Sequence, residues 1–245
     1  MKDFEVILTP GEIDKKRLNH KLIIVIDVLR ASSTIITALV KGSRGIIPVF
    51  NPEEAQQKKY HFKTEKILLA GERKGKKIKG FDLGNSPLEY LEEVVREKLI
   101  ILSTTNGVKT LEIVKDAQEV IIGSFLNLKT VADYCIDFPG EVLLVCAGKE
   151  GKISLEDTTC AGMLINNFQE RHSFSKIERD TNLLAHLLYK KFEHNILKMM
   201  QVSEHGRYLC SLGYLKDLAF CAQIDIFDVL PFFQDGIIYL SKERG

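Results

Sequence analysis

Four short stretches of this chain gather carboxylates, cations, hydroxyls and glycines in patterns that suit a phosphoryl group and a hard metal ion. The first is Asp27-Val28-Leu29-Arg30-Ala31-Ser32-Ser33-Thr34. It follows the apolar run Leu22 to Ile26 and leads into a helical pattern, so an acid stands at a strand end and three hydroxyls at a helix start. Helix N-terminal amides attract an anion, and serine or threonine adds donors. The same residues also read as an N-cap beside a surface ion pair. The second stretch is Gly71-Glu72-Arg73-Lys74-Gly75, continuing to Gly80-Phe81-Asp82-Leu83-Gly84-Asn85-Ser86-Pro87. Glycine there lets backbone approach a ligand closely. Lys74, Lys76, Lys77 and Lys79 form a solvated face from which one lysine can reach an anion, and Ser86 before Pro87 reads as an N-cap.

The third stretch, Ser103-Thr104-Thr105-Asn106-Gly107, again runs from strand to helix and offers either an anion cradle or a plain capped turn. In the fourth, Cys146-Ala147-Gly148-Lys149-Glu150-Gly151 runs on toward Leu155-Glu156-Asp157-Thr158. Adjacent carboxylates at a helix start are favoured by the macrodipole alone, and they are also the oxygen ligands that magnesium takes. Taken together, the four stretches fit a metal bound with a phosphoester. Other phosphate chemistries lack their signatures. No G-x-x-x-x-G-K-[ST] loop, G-x-S-x-G elbow or G-x-G-x-x-G fingerprint occurs, Asp27 has no second aspartate two residues on, and Cys146 and Cys160 lack the C-x5-R loop.

The elements that must position these stretches are legible as apolar runs. Residues 4–8, 22–26, 46–50, 66–70, 99–102, 119–122 and 141–146 read as strands, several nearly continuous in Ile, Leu and Val. Helical spacing lies between them, with one helix ending near Gly42 and others starting at Pro52 and Pro87. After Leu155 the pattern turns helical over 156–171, 181–193, 195–201 and 204–222, before a closing strand at 236–240. This predicts a three-layer α/β/α fold with a largely parallel or mixed sheet and a helical C-terminal portion. Residues 1–245 are read as one unit. Two closely packed α/β halves, divided near 140–155, are left open. In such a sheet, ligands bind beyond the carboxyl ends of strands, where all four stretches lie.

The bulk numbers exclude much else. A formal charge of +1 gives no global field for nucleic acid or an anionic membrane, so neither partner is expected. The opening residues show no basic segment followed by a long apolar run, and a cytoplasmic protein is expected. The five cysteines lack C-x-x-C spacing and read as buried reduced thiols. His20, His61, His172, His186 and His194 lie in surface or helix-packing patterns.

The four stretches, with Ser203-Glu204-His205-Gly206-Arg207 and Leu212-Gly213, resemble the 2-phosphosulfolactate phosphatase family in order over nearly the whole chain. The octapeptide Gly80 to Pro87 is the most specific part of the match, and Ser32 stands where many relatives are expected to carry threonine. The resemblance implies a magnesium-dependent hydrolase of coenzyme M biosynthesis, splitting 2-phospho-3-sulfolactate into 3-sulfolactate and phosphate. It also implies an α/β fold unlike the common phosphatase superfamilies. From the chemistry of the residues, Asp27, Glu72 and Asp157 are assigned to Mg2+, with Glu156 in reserve. Arg30, Ser32, Ser33 and Thr34 would clamp the phosphate, with Thr104 and Gly107 in the cradle. Arg73, Asn106 and Arg207 would receive the sulfonate and carboxylate. His205 is either a proton donor to the leaving alkoxide or a structural helix-start histidine. Metal-activated water is the simpler nucleophile, while direct attack by Asp27 stays open. Another small phosphorylated acid as substrate, a non-catalytic anion-binding role and a homo-oligomer also stay open.

Overall fold

The computed structural model of the chain describes residues 3–62, 66–171, 177 and 179–240; His172 lies outside them. The strands are β1 (Phe4–Ile7), β2 (Lys21–Ile26), β3 (Gly45–Val49), β4 (Ile67–Arg73), β5 (Lys76–Lys77), β6 (Leu99–Ser103), β7 (Glu119–Gly123), β8 (Glu141–Cys146), β9 (Pro231–Gln234) and β10 (Ile237–Leu240). The helices are α1 (Ala31–Val40), α2 (Pro52–Phe62), α3 (Glu92–Val95), α4 (Gly107–Val114), α5 (Leu128–Asp137), α6 (Leu155–Glu170), α7 (Asp180–Phe192), α8 (Ile196–Val202), α9 (Glu204–Ser211) and α10 (Leu215–Cys221).

All ten strands join one mixed sheet in the order β1-β8-β2-β7-β9-β10-β3-β6-β4-β5. Strand β2 shows why the apolar runs are continuous. All six of its residues are buried, with Leu22, Ile24 and Ile26 feeding the core under α5 and α6. Ile23 and Val25 feed the opposite core under α1 and α4. A strand covered on both faces has no polar face to alternate with. A third, smaller core joins α2 to β3, β4 and β6 through Ala55, Val49, Leu69 and Ile101.

Two parallel groups make up the sheet. One is β1, β8, β2 and β7; the other is β3, β6 and β4. The hairpin β9–β10 lies between them, antiparallel to β7 on one side and to β3 on the other. These three antiparallel steps reverse the sense of the second group. The six steps from β2 to β4, at about 20–25° of twist each, accumulate about 120–150°. Twist therefore turns much of the reversal back. The carboxyl ends of β2, β4 and β6 can then open on a common cavity, which residues 27, 72 and 104 all line.

Three sequence expectations need correction. The helix expected over 204–222 is two helices, because Gly213 adopts φ +91° between α9 and α10. Pro87 starts only a single 3-10 turn, Pro87–Glu89, before the short α3. Strand β9 went unread in the sequence although it lies in the middle of the sheet. Its leading Pro231 and half-buried Phe232 and Phe233 hide any alternation. The five cysteines are free, with four of them buried, as the sequence led one to expect.

Candidate active site

A cavity of about 250 Å³ opens where these strand ends meet, below the roughly 300–1,000 Å³ typical of drug-sized ligands. One wall begins at Asp27, directly after β2. Its backbone N–H donates to Ser32 Oγ at 2.9 Å, and its carbonyl accepts from the Ser32 amide at 2.8 Å. The turn is closed by its own first helical residues, and the Leu29–Arg30 peptide bond within it is cis. Asp157, in the first turn of α6, backs this wall. It accepts from the Val28 amide at 2.8 Å and the Gly148 amide at 3.1 Å, so one carboxylate ties the β2 turn to the β8 turn. Gly148 must be glycine. It sits at φ +66°, and a Cβ there would lie 2.4 Å from the Lys152 carbonyl.

The opposite wall comes from β4 and β6. Glu72 accepts from the Gly75 amide at 2.7 Å and from Thr105 Oγ1 at 3.2 Å. Arg73 donates to Ser103 Oγ at 2.9 Å and to the Phe50 carbonyl at 2.7 Å, which holds its guanidinium along the rim. Asn106 Oδ1 accepts from the Glu150 amide at 3.2 Å, joining this wall to the β8 turn. Gly107 brings α4 up against Asp27, where a Cβ would come within 3.0 Å of Oδ2. Lys149 crosses the mouth, paired with Glu204 at 3.1 Å and lying over the Tyr208 ring.

The electrostatics are set by burial. Asp27 is raised from 3.8 to about 6, chiefly because it is removed from water, with the charges of Glu72 and Glu156 adding. His205 and the Ala31 amide oppose that rise. Burial, then the charges of Asp27 and Glu156, likewise hold the Asp157 carboxyl well above the carboxylate range. Burial also pushes the Cys146 and Cys160 thiols up, which keeps them from serving as thiolate nucleophiles. Helices α1, α4, α6 and α9 all start at this site, through Ala31, Gly107, Asp157 and His205. Their N-terminal dipoles favour negative charge there.

The family model described as 2-phosphosulpholactate phosphatase matches residues 7–236. The chain belongs to this family. A relative named probable 2-phosphosulfolactate phosphatase, from Caldanaerobacter subterraneus subsp. tengcongensis, is 41% identical over 96% of this chain and 97% of its own. Proteins with the same name from Thermotoga petrophila and Clostridium acetobutylicum are 41% identical over 89% of this chain and 37% identical over 96%. These cover 92% and 98% of the respective relatives.

Of the residues singled out in this family member's sequence, Asp27, Arg30, Glu72, Arg73, Thr104, Asn106 and His205 line the cavity. Asp157 and Gly107 stand directly behind its wall. Others are placed elsewhere. Ser33 Oγ donates to the Val28 carbonyl at 2.9 Å and Thr34 Oγ1 to the Asn85 carbonyl at 2.9 Å. With Ser32 closing the Asp27 turn, all three hydroxyls are spent on backbone rather than turned to the cavity. Arg207 is exposed, donates to the Val202 carbonyl and does not line the cavity. Glu156 faces an adjacent cavity of about 200 Å³ that shares Lys149 and His205 with the first.

Arg30 lines the cavity but is not a free cation. Its guanidinium, 3% exposed, pairs with Asp217 at 2.8 Å, donates to the Gly75 carbonyl at 2.7 Å and lies 4.2 Å from the Tyr214 ring. Sequence reasoning gave no role to Asp217, Asn85, Lys149, Glu150 or Tyr208, and took Thr105 only as one hydroxyl of an anion cradle or capped turn. Asn85, Lys149 and Glu150 stood inside quoted strand-end stretches, and that position was the available signal. Asp217, in the first turn of α10, and Tyr208, in the middle of α9, carry none.

The donor set fits a hard divalent cation. Asp27 and Asp157 are buried close enough that the charge of one raises the other, and Asn85 Oδ1 and Glu156 Oε1 are buried without a hydrogen-bond partner. His205 Nδ1 does approach Glu156 Oε1 at 3.3 Å, outside hydrogen-bond geometry. Among the described residues no three acidic, histidine or cysteine side chains form a closed ligand cluster.

Proposed function

We propose that this protein is a magnesium-dependent phosphoric monoester hydrolase that converts 2-phospho-3-sulfolactate to 3-sulfolactate and phosphate, as in coenzyme M biosynthesis. The names its relatives carry support the substrate. The observation that carries the chemistry is the buried pair Asp27 and Asp157 beneath a rim bearing Arg73 and Lys149. A pure anion receptor would gain nothing from clustered buried acids.

Asp27 and Asp157 would hold the magnesium ion, with Glu72 and the unpartnered Asn85 Oδ1 near enough to the same cavity to share it. When bound, the ion would neutralise phosphoryl oxygens and lower the pKa of water. The chain's own residues do the rest. Lys149 and Arg73 bring positive charge to the mouth, and the four helix N-termini favour the anion inside. Arg30, locked by Asp217, Gly75 and Tyr214, gives the wall a fixed cation rather than a mobile one. The small cavity limits how much water shares the site with a phosphoester. His205, whose ring lines both this cavity and its neighbour, would give the departing alkoxide a proton carried on a ring nitrogen.

Phosphate release from 2-phosphosulfolactate, with magnesium and then with excess EDTA, tests the reading. Phospholactate and phosphoglycolate serve as controls. Turnover that needs magnesium and is fastest on the sulfonated compound is expected. Equal turnover on the carboxylate controls would assign the protein to another small phosphorylated acid. No release from any of them would sink the hydrolase assignment.

A further inference from the structure

Helix α7 carries a surface that the cavity does not use. Its Asn182, Ala185 and Tyr189 are buried. Asn182 Oδ1 accepts from the Val6 amide at 2.8 Å and its Nδ2 donates to the Phe4 carbonyl at 3.0 Å, which clamps the helix to β1. A Cβ on Gly162 of α6 would lie 2.0 Å from the Ala185 carbonyl, so α6 and α7 meet backbone to backbone. These contacts fix how α7 is rotated about its axis.

At about 100° per residue, Asp180, Leu184, Leu187 and Lys191 fall on one stripe pointing straight away from the buried face. Leu184 is 49% exposed and Leu187 58%, with Leu183 flanking them at 44%. Asp180 and Lys191 are exposed, and neither has an ion-pair partner within the chain among the described residues. The stripe thus reads acid, leucine, leucine, base at intervals of four, three and four residues. This is the spacing of an apolar seam between paired helices.

We propose that this stripe is a homodimer contact, with α7 lying antiparallel on α7 of a second copy about a two-fold axis between Leu184 and Leu187. In that register each Leu184 meets the partner's Leu187, and each Asp180 meets the partner's Lys191. The stripe is its own complement because the two charges stand equally far from its centre, as an isologous contact requires. A parallel pairing would set Asp180 against the partner's Asp180 and Lys191 against the partner's Lys191, so the charges select the antiparallel one. A single helix pair buries less than the roughly 1,200–2,000 Å² of a standard stable interface, so the dimer forms reversibly with concentration.

Sedimentation velocity of the full chain over a concentration series tests this, and it needs no substrate or metal. A monomer–dimer equilibrium is expected. Leu187→Glu should raise its dissociation constant by at least about 100-fold. Asp180→Lys and Lys191→Asp should each weaken it about tenfold, and the double variant should return to near the wild-type value. None of these residues lines the cavity, so phosphate release stays unchanged. A monomer at every concentration overturns the proposal. So does a dimer indifferent to Leu187→Glu, or a double variant as weak as the single ones. Should Leu187→Glu misfold by circular dichroism, the charge exchange alone still decides.

Discussion

The two walls of the cavity are built by opposite means. On the Asp27–Asp157 side the polar groups are buried, and backbone amides hold them in place. On the Glu72–Thr105 side the side chains are half-exposed and bond to one another or to loop backbone. The first wall stores electrostatic cost, since like charges share a region without water. The second stores almost none and depends on loop geometry. A buried acidic wall that gains by taking up a cation faces an open wall that can adjust to a substrate. Substitutions on the two walls should therefore fail in different ways.

The largest effect is expected from Asp27→Asn. Phosphate release should fall by about 10²–10³-fold or more, as when one principal transition-state group is lost. Stability without divalent ions should rise. Between pH 3.8 and about 6 the folded protein keeps a proton on Asp27 that an unfolded chain would release. Stability then falls as pH rises through that window and stays lower above it. The gap between 3.8 and about 6 corresponds to about 3 kcal/mol. Thermal melts across this range should slope downward in the wild type and be shallower in the variant. Magnesium should lift the wild-type melting temperature more at pH 7.5 than at about pH 5, since it favours the charged carboxyl. A wild-type melting temperature independent of pH would remove the basis for treating this wall as a charge trap.

Next in size is Asp217→Ala. It would leave the Arg30 guanidinium buried and unpaired, and would also strip Ser86 Oγ of its acceptor at 2.8 Å. A loss of about 3–5 kcal/mol is expected by denaturant melts. Arg30→Met combined with Asp217→Leu should recover much of that stability while activity stays low. Recovery of activity as well would show that Arg30 acts only as packing.

The contrast between the walls also shows what the sequence could and could not convey. Strand ends were legible because β2, β4, β6 and β8 carry continuous apolar runs, and a ligand site beyond their carboxyl ends follows from the fold class. The direction of a side chain was not legible. Ser33 and Thr34 have the right types at the right place, yet their hydroxyls close the backbone of a turn that must fold back on itself. Asp217 is more than 180 residues from Arg30, and no local spacing announces such a pair. The place of the central hairpin escaped for a similar reason, with β10 read as a closing strand and β9 not read at all. Its place between β7 and β3 depends on tertiary pairing, while its own sequence has no clean alternation.

On the open wall, Thr105→Ala removes a hydroxyl that holds Glu72. Activity is expected to fall about tenfold, with a stability change within about 1 kcal/mol, the worth of one part-exposed hydrogen bond. Steady-state kinetics beside melts separate the two quantities. A stability loss as large as that of Asp217→Ala would mean that this wall too is load-carrying framework, and the distinction between the walls would collapse.

The smallest effect is expected from Arg207→Ala. By sequence Arg207 was a candidate for the substrate's acid groups, but it is exposed and its guanidinium donates to the Val202 carbonyl, outside the cavity. Lys149 is the better placed cation, because it lines the cavity and its partner Glu204 is itself exposed and easily exchanged for a substrate anion. KM for the phosphoester should change less than about threefold in Arg207→Ala, as for most surface substitutions. In Lys149→Ala it should rise about tenfold, the loss of one charge-assisted contact. Both variants should keep kcat within a few-fold if the lysine binds the ground state and the transition state alike. The reverse order, a large rise for Arg207 and a small one for Lys149, would put anion recognition on the exposed face of α9, and the half-open rim would lose its claim to select the substrate.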